Sequence, residues 1–592
     1  MAVVIVCLWL GYHFYGRWLE KTWGIDPIAK TPAALRNDGK DYQPASRLSV
    51  FAHQFTSITG AGPVTGPIIA AMFGWLPALL WIIIGGIFFG AVQDFTALYA
   101  SVRNGGKSMG MIIEQYVGRF GRQLFLAFCW LFTLLVIAAF ADMIAATFNG
   151  FTKTGEQNMP NAAAASISMI YIVGAVIFGL FQKYVKPSSG LQLAVGITMM
   201  IAMLAMGIAW PIYADADTWR VVVFLYAFAA SVMPMWILKQ PRDFLSMFLL
   251  FGMIIAGVVG VFVTNPTINM PAFVGWEVKG LDLFPILFVT IACGAISGFH
   301  SLVSSGTSSK MIANETDMRP VGYGAMLMEG FVAIMALVAA CVLVPADYFA
   351  INAPADKFAK LGMSVVDLPT LEKEVAESLM HRPGGSVSLA VGMAHIFGQI
   401  PWMSHLMSYW YHFAIMFEAV FILTAVDAGT RVGRFFLQEM IGKVIPKFAD
   451  KEWVPGVIIT SVLFTGSWGY LVYSGDIGSI WPLFGICNQL LASVTLLIGT
   501  TVILRMNKAK YAWITGVPGL FMTVITFWAG IWLIVNQYLP GGKILLATLS
   551  VIVMLLMLFV IYGTLRRWFA LLAIHTTTKD EYGEDVKVVV QE

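Results

Sequence analysis

Of 592 residues, 58% are apolar and only 12% are charged, against about 25% charged in a soluble domain. At about 20 apolar residues per membrane helix this caps the number of spans near 17, and it excludes a soluble enzyme, a disordered chain, a collagen and a disulfide scaffold. Long apolar runs without alternation exclude a transmembrane β-barrel, and a net charge of +3, from 36 basic and 33 acidic residues, argues against a nucleic-acid partner. The chain reads as an all-α polytopic membrane protein.

Ala2–Tyr15 is apolar from the second residue, with no basic n-region and no small-residue cleavage site, so it is not a signal peptide. It is short for a span: either the chain starts inside a helix or this helix lies partly in the interface. Apolar runs divided at Pro, Gly and charge breaks give about fifteen spans. They fall near 2–16, 50–73, 75–102, 122–148, 162–183, 189–212, 220–238, 242–264, 283–306, 322–346, 402–426, 455–474, 477–504, 510–538 and 543–570. Val387–Ile400, with 14 residues, is too short to span and reads as re-entrant or interfacial.

Lys and Arg concentrate in alternate loops: Arg17 to Arg47, Arg103 to Arg122, Lys183 and Lys186, Lys239 and Arg242, Lys310 and Arg319, Arg431 to Lys451, Arg505 to Lys510, then Arg566 and Arg567. The positive-inside rule places these loops and the C-terminus in the cytoplasm. The predicted division is an N-terminal helix and cytoplasmic loop (1–49), a first inverted repeat (50–212), an intervening helix pair (213–282), a second repeat (283–504) carrying an extracytoplasmic loop (347–401), and C-terminal helices with a polar tail (505–592).

The second span contains Ser57-Ile58-Thr59-Gly60-Ala61-Gly62-Pro63-Val64-Thr65-Gly66-Pro67. Two prolines and three glycines within eight residues cannot continue an ordinary helix. Backbone freed at membrane depth must line a cavity or bind something; the alternative is a loop at the membrane edge. The ninth span contains Gly294-Ala295-Ile296-Ser297-Gly298-Phe299-His300-Ser301 and continues through Ser304 to Lys310. It predicts a second break, or else a polar helix end capped by Ser and Thr. Two interrupted helices of opposite direction point to an inverted-repeat transporter with a midplane site. Half-helix N-termini there present N–H groups to a carboxylate. The candidate substrate residues are Ser57, Gly60, Ala61, Gly62, Ser297, Gly298, Phe299, His300 and Ser301.

Ionisable residues inside spans cost about 2.5–3.5 kcal/mol on insertion scales. They are His53, Asp94, Asp142, His300, Glu329, His405, His412 and Glu418. Asp142 lies near a predicted outer end, where water would solvate it. His53, Asp94, His300 and Glu329 are the candidates for proton coupling or charge pairing. A lone intramembrane histidine also serves simply as a hydrogen-bonding core residue. Asp427-Ala428-Gly429-Thr430-Arg431-Val432-Gly433-Arg434 closes the eleventh span. It reads either as positive-inside anchoring or as an inner gate of Asp427 with Arg431. Trp481-Pro482 breaks the start of the thirteenth span, and Asn488 and Gln489 either line the pathway or bond a neighbouring helix.

Five cysteines in apolar context, without CxxC, read as packing residues. No His-Glu pair occurs, so no HExxH zinc motif exists. Gly106-Lys107-Ser108 lacks the first glycine and the preceding strand of a phosphate-binding loop. Neither a metal nor a cofactor is expected, and energy must come from an ion gradient or from the solute's own gradient.

Phe51-Ala52-His53-Gln54-Phe55 leading into Gly60-Ala61-Gly62-Pro63, and Gly90-Ala91-Val92-Gln93-Asp94-Phe95, resemble the carbon starvation protein A family. So do Ser297-Gly298-Phe299-His300-Ser301, Asp427-Ala428-Gly429-Thr430-Arg431 and Trp481-Pro482-Leu483-Phe484-Gly485. The resemblance runs from about Tyr15 to Leu504. Members often carry a second histidine where this chain has Gln54. The resemblance implies a multi-pass transporter of the bacterial or archaeal inner membrane, linked to nutrient limitation and to uptake of small peptides and pyruvate by proton symport. It also implies a LeuT-like core of two inverted five-helix repeats. Both solutes bear a carboxylate; a peptide would also want a carboxylate such as Asp94 or Glu329 for its ammonium group. The expected partners are therefore a small-molecule solute, a proton with sodium as the alternative, and the lipid bilayer. A passive facilitator would not accumulate solute. A membrane sensor is disfavoured by the want of a signalling domain, and an enzyme by the want of a nucleophile–base pair.

Overall fold

A computed structural model of the chain describes all residues except 38–41, 153–154, 235, 354–357, 360, 376–378, 381–384, 401–406, 451–452, 475–479, 574–576, 580–584 and 588–592. Among the described residues, twelve helices are long and apolar enough to cross a membrane. Helix is forced on these segments because hydrocarbon offers no partner for backbone N–H and C=O groups. Among the described residues, strand is confined to two small antiparallel pairs, Glu277–Val278 with Leu281–Asp282 and Thr577–Lys579 with Asp585–Lys587. The chain is a multi-pass helical membrane protein.

Three other predicted spans are also helical, and the exceptions carry the interest. The segment 50–73 forms Arg47–Ile58 and Gly62–Ala70. The segment 283–306 forms Leu283–Thr290 and Gly298–Gly306. The segment 220–238 forms Ala216–Val232, which has 17 residues. Val387–Ile400 forms the short helix Ser386–Gly398.

The first span is longer than expected. Its helix runs through Trp23, giving 22 residues, because the backbone ladder continues through a π-type stretch at Gly11–Gly16 into the α-helical turns Arg17–Trp23. Glu20 near its end is met by Arg319 at 2.7 Å. Several basic residues read as loop charges are interior instead. The eighth span begins at Lys239, so Lys239 and Arg242 enter the bundle, and Arg431 and Arg434 are buried as well. Arg103 pairs with the buried Glu315 at 2.9 Å. Arg103 and Arg242 are each met there by a carboxylate, Glu315 and Asp427.

Burial separates a central group of helices from a lipid-facing one. The most apolar window of Trp481–Arg505 is wholly buried, and those of Phe413–Ile441 and Glu315–Val342 are 94% and 89% buried. Gly190–Ala209 is only 17% buried, as a helix facing lipid should be. The two broken helices lie within the central group, and their contacts run in opposite order. Gln54 meets Ser304 and Ser308, Gly62 meets Cys293, and Gly66 meets Thr290. The first number rises as the second falls, so the two broken helices cross antiparallel.

Candidate functional site

The first break is three residues long, Thr59-Gly60-Ala61, between two helical halves. Pro63 follows in the first turn of the second half, where its missing N–H costs nothing. The amides of Ala61 and Gly62 make no hydrogen bond among the described residues, as expected at a helix N-terminus. The buried hydroxyls of Ser57 and Thr59 likewise find no partner. Two amides and two hydroxyls are thus free around one turn of backbone. Gly60 faces Ala425 and Phe140, which close the break from two other helices.

The second break, Ile291–Ser297, is satisfied differently. Asn488 Oδ1 accepts from the Phe299 amide at 3.0 Å, and its Nδ2 donates to the Ala292 carbonyl. Gln489 Nε2 donates to the Phe288 carbonyl at 2.9 Å, and Gln93 Nε2 to that of Ser297 at 2.6 Å. Asn488 and Gln489 therefore bond a neighbouring helix, one of the two roles read from the sequence. Ser297 Oγ is 3.2 Å from Asn488 Oδ1, and Ser301 Oγ donates to the Gly298 carbonyl. A Cβ on Gly298 would run into Asn488 and Leu491, and one on Gly62 into Cys293. Both glycines are spent on close approach between elements. Among the described residues, the unpartnered hydroxyl of the candidate set is that of Ser57 on the first break, while amides without a hydrogen bond occur at both breaks, at Ala61 and Gly62 and at Ser297 and Gly298.

Just past the second break, His300 stands between two carboxylates. Its Nδ1 is 2.9 Å from Asp94 Oδ2, and its Nε2 is 3.1 Å from Glu329 Oε2. All three side chains have zero solvent exposure. Asp94 comes from the span Trp75–Arg103, Glu329 from Glu315–Val342 and His300 from the broken helix. Sequence reading named each of the three; the fold unites them. With its imidazole protonated and the carboxylates ionised, such a trio would place a cation between two anions out of water, where attraction is screened far less than in bulk solvent.

Cys293 was read as a packing residue. Its Sγ and the facing atoms of His300 and Glu329 lie within 4.8 Å of one another, a donor set that suits a transition metal. Motif spacing could not show this, since the three come from different elements. The atoms in question are those that pair His300 with Glu329, so a metal and the imidazole proton would compete for them.

His53 belongs elsewhere. Its Nδ1 is 3.3 Å from Asp243 Oδ2 and its Nε2 is 3.0 Å from Thr307 Oγ1, two turns beyond His300. Gln54 has both amide atoms taken by Ser304 and Ser308, so it acts as a strut between the broken helices. Asp142 is paired with Arg220 at 2.7 Å. Glu418 is buried. His405 lies outside the described residues, as does the side chain of His412.

The proposed pair of Asp427 with Arg431 does not form. Asp427 Oδ2 is 3.2 Å from Arg242 Nη2, while Arg431 donates to the carbonyls of Ala230 and Met233 at 2.5 and 2.6 Å. Arg431 lies at the frayed end of Ala216–Val232 and takes the carbonyls that the ended helix leaves open. Arg431 and Arg434 are 7% and 4% exposed, so both side chains are packed inside the bundle. Sequence reasoning missed Asp243 altogether. The Arg242-Asp243 step at the entrance to an apolar run was the available signal.

The family model described as "Carbon starvation protein CstA" matches residues 1–529. The peptide transporter CstA of Bacillus subtilis is 42% identical over 594 residues, covering 96% of each chain. The pyruvate/proton symporter BtsT of Escherichia coli is 38% identical over 591 residues, covering 89% of this chain and 80% of its own. The peptide transporter CstA of Escherichia coli is 38% identical over 576 residues, covering 90% and 80%. Among solved structures, the Eremococcus coleocola manganese transporter is similar at 12% identity and a TM-score of 0.49, covering 89% of this chain and 95% of its own. MhsT with L-phenylalanine reaches 11% identity and 0.47, covering 88% and 99%. At those scores neither likeness carries an inference.

Proposed function

The chain belongs to the carbon starvation protein CstA family, and from that premise we propose that it is a secondary active importer of small carboxylate-bearing solutes, peptides or pyruvate, driven by proton symport. Relatives named as peptide transporters and as a pyruvate/proton symporter support this reading. The observation that carries it is His300 held between Asp94 and Glu329 beside a helix break. With the imidazole protonated and both carboxylates ionised, the trio carries one net negative charge. One further proton makes it neutral. A proton thus changes the charge of a dry site whose middle member sits on a half-helix, which is the element able to move.

The solute's carboxylate would take the free amides of Ala61 and Gly62 with the hydroxyls of Ser57 and Thr59. Amide donors at a helix start suit an anion. The two broken helices would be the lead helices of two inverted repeats, 50–212 and 283–504, in the cytoplasmic membrane with the C-terminus inside. The same unpartnered hydroxyls favour one second reading, sodium as the coupling ion, because oxygen ligands suit a hard cation.

Proteoliposome uptake tests the proposal. Labelled pyruvate and a labelled dipeptide are compared under an inward proton gradient, a sodium gradient, or neither. Accumulation of one solute with the proton gradient alone is the expected result. Accumulation with sodium alone would reassign the coupling ion, and equilibration under every gradient would make the protein a facilitator.

A further inference from the structure

A second buried charge cluster lies apart from His300, where the helix starting at Lys239 meets the long helix Met407–Ile441. It contains four cations, Lys239, Arg242, Arg431 and Arg434, and two carboxylates, Asp243 and Asp427, all at most 7% exposed. Asp427 is matched by Arg242, and Asp243 by His53. Arg431 has only carbonyls. Lys239 lies in the field of Asp243, Asp427, Arg431 and Arg242, yet neither Lys239 nor Arg434 makes a hydrogen bond or ion pair among the described residues. The Nε atoms of Arg242, Arg431 and Arg434 are buried donors without acceptors. Three guanidinium groups against two carboxylates leave a surplus of one, and a protonated Lys239 raises it to two, before any charge on His53.

A surplus of this kind is not stable by itself. A charge withdrawn from water is retained where a counter-charge accompanies it. Guanidinium groups present forked donors that match a carboxylate or other oxyanion. Position adds a second argument. Gly60, in the first break, faces Ala425 on the long helix. Arg431 and Arg434 are six and nine residues further along, about 9 and 14 Å at 1.5 Å per residue. The surplus therefore lies on the same helix as the wall of the break, displaced toward one end of it.

We propose that Lys239, Arg242, Arg431 and Arg434 form a binding site for a small anion, distinct from the break at Thr59–Ala61. The shared chemistry is one compact negative group. It is either the carboxylate of the transported solute on its way from the break or a resident inorganic anion. This site does not depend on proton coupling, so it stands or falls apart from the transport reading.

The test is thermal unfolding of the purified full-length chain in detergent and zwitterionic buffer, titrated with pyruvate, acetate, chloride or inorganic phosphate. Wild type is compared with Lys239→Gln, Arg434→Gln and, as a control at the rim, Asp142→Asn. The expected result is a saturable rise in melting temperature. Its midpoint should move about tenfold or more in the Lys239 and Arg434 variants and stay in place in Asp142→Asn. Preference for pyruvate and acetate would assign the solute; preference for chloride or phosphate would assign a resident ion. In anion-free buffer, Arg434→Gln should melt no lower than wild type, since it removes a surplus charge. No anion response in wild type, or one unchanged in both cation variants, would overturn the site. So would a lower melting temperature for both variants without anion, which would mean the cations are already compensated inside the protein.

Discussion

The two buried charge clusters solve the same problem in opposite ways. At His300, one base stands between two carboxylates, and each carboxylate has the imidazole within 3.1 Å. At Arg242, four basic residues share two carboxylates, and Lys239 and Arg434 make no hydrogen bond or ion pair among the described residues. The first cluster can change its charge by gaining or losing a proton without any ion entering. The second has three guanidinium groups that keep their charge at any relevant pH against two carboxylates, so proton loss from Lys239 cannot balance it and an anion can. Charge balance thus distinguishes a site suited to proton transfer from one suited to ion binding, although both are equally dry.

The sharpest way to break that contrast is to remove a carboxylate from each cluster. Asp94→Asn keeps the side chain's shape and deletes one of the two groups facing His300. Gradient-driven uptake into proteoliposomes should fall to the level of protein-free vesicles. Accumulation at the wild-type level would mean that Asp94 takes no part in coupling. At the other cluster, Asp427→Asn leaves Arg242 buried without its counter-charge, at a cost of about 3–5 kcal/mol. The expected readout is a large drop in melting temperature in detergent. The double variant Arg242→Gln with Asp427→Asn should recover much of it, since two neutral groups replace a broken pair. Additive losses in the double variant would show that Asp427 and Arg242 do not act as a pair.

How far the sequence disclosed these clusters follows from where their residues lie. Asp94, His300 and Glu329 interrupt long apolar runs, so each stands out by the cost of putting it there. Their union needed the fold, because no spacing relates positions on three helices. Lys239, Arg242, Arg431 and Arg434 sit at the ends of apolar runs, where basic residues ordinarily mark the cytoplasmic side. That rule counts charges without regard to burial, so it absorbed them as loop residues. The breaks themselves were legible, since Gly60 to Pro67 cannot remain helical. How the second break is satisfied was not, because Asn488 and Gln489 reach it from a helix almost 200 residues later.

That difference between the breaks gives a smaller, sharper test. Asn488 serves the amide of Phe299 and the carbonyl of Ala292 at once. Asn488→Ala strands both in a dry interior, at a cost of about 1–3 kcal/mol. Ser57→Ala at the first break deletes a hydroxyl that has no partner, so its effect on melting temperature should be near zero while solute affinity falls. Equal thermal losses for the two variants would erase the distinction between a break braced by amide side chains of a neighbouring helix and one whose hydroxyls are left unpartnered.

The smallest effect belongs at the rim. Asp142 and Arg220 form an ion pair at 2.7 Å with side chains 24% and 30% exposed, and Arg220 also reaches Asp217 at 2.6 Å. Water screens such a pair and competes for both ends, so Asp142→Asn should cost no more than about 1 kcal/mol. Arg220 keeps a second carboxylate after the change, which lowers the cost again. The same substitution chemistry at Asp427 is expected to cost several times more, although that pair is longer, at 3.2 Å. If the two variants melted alike, distance and charge alone would govern these pairs. A large gap in the stated order means that burial sets the worth of a charge in this protein.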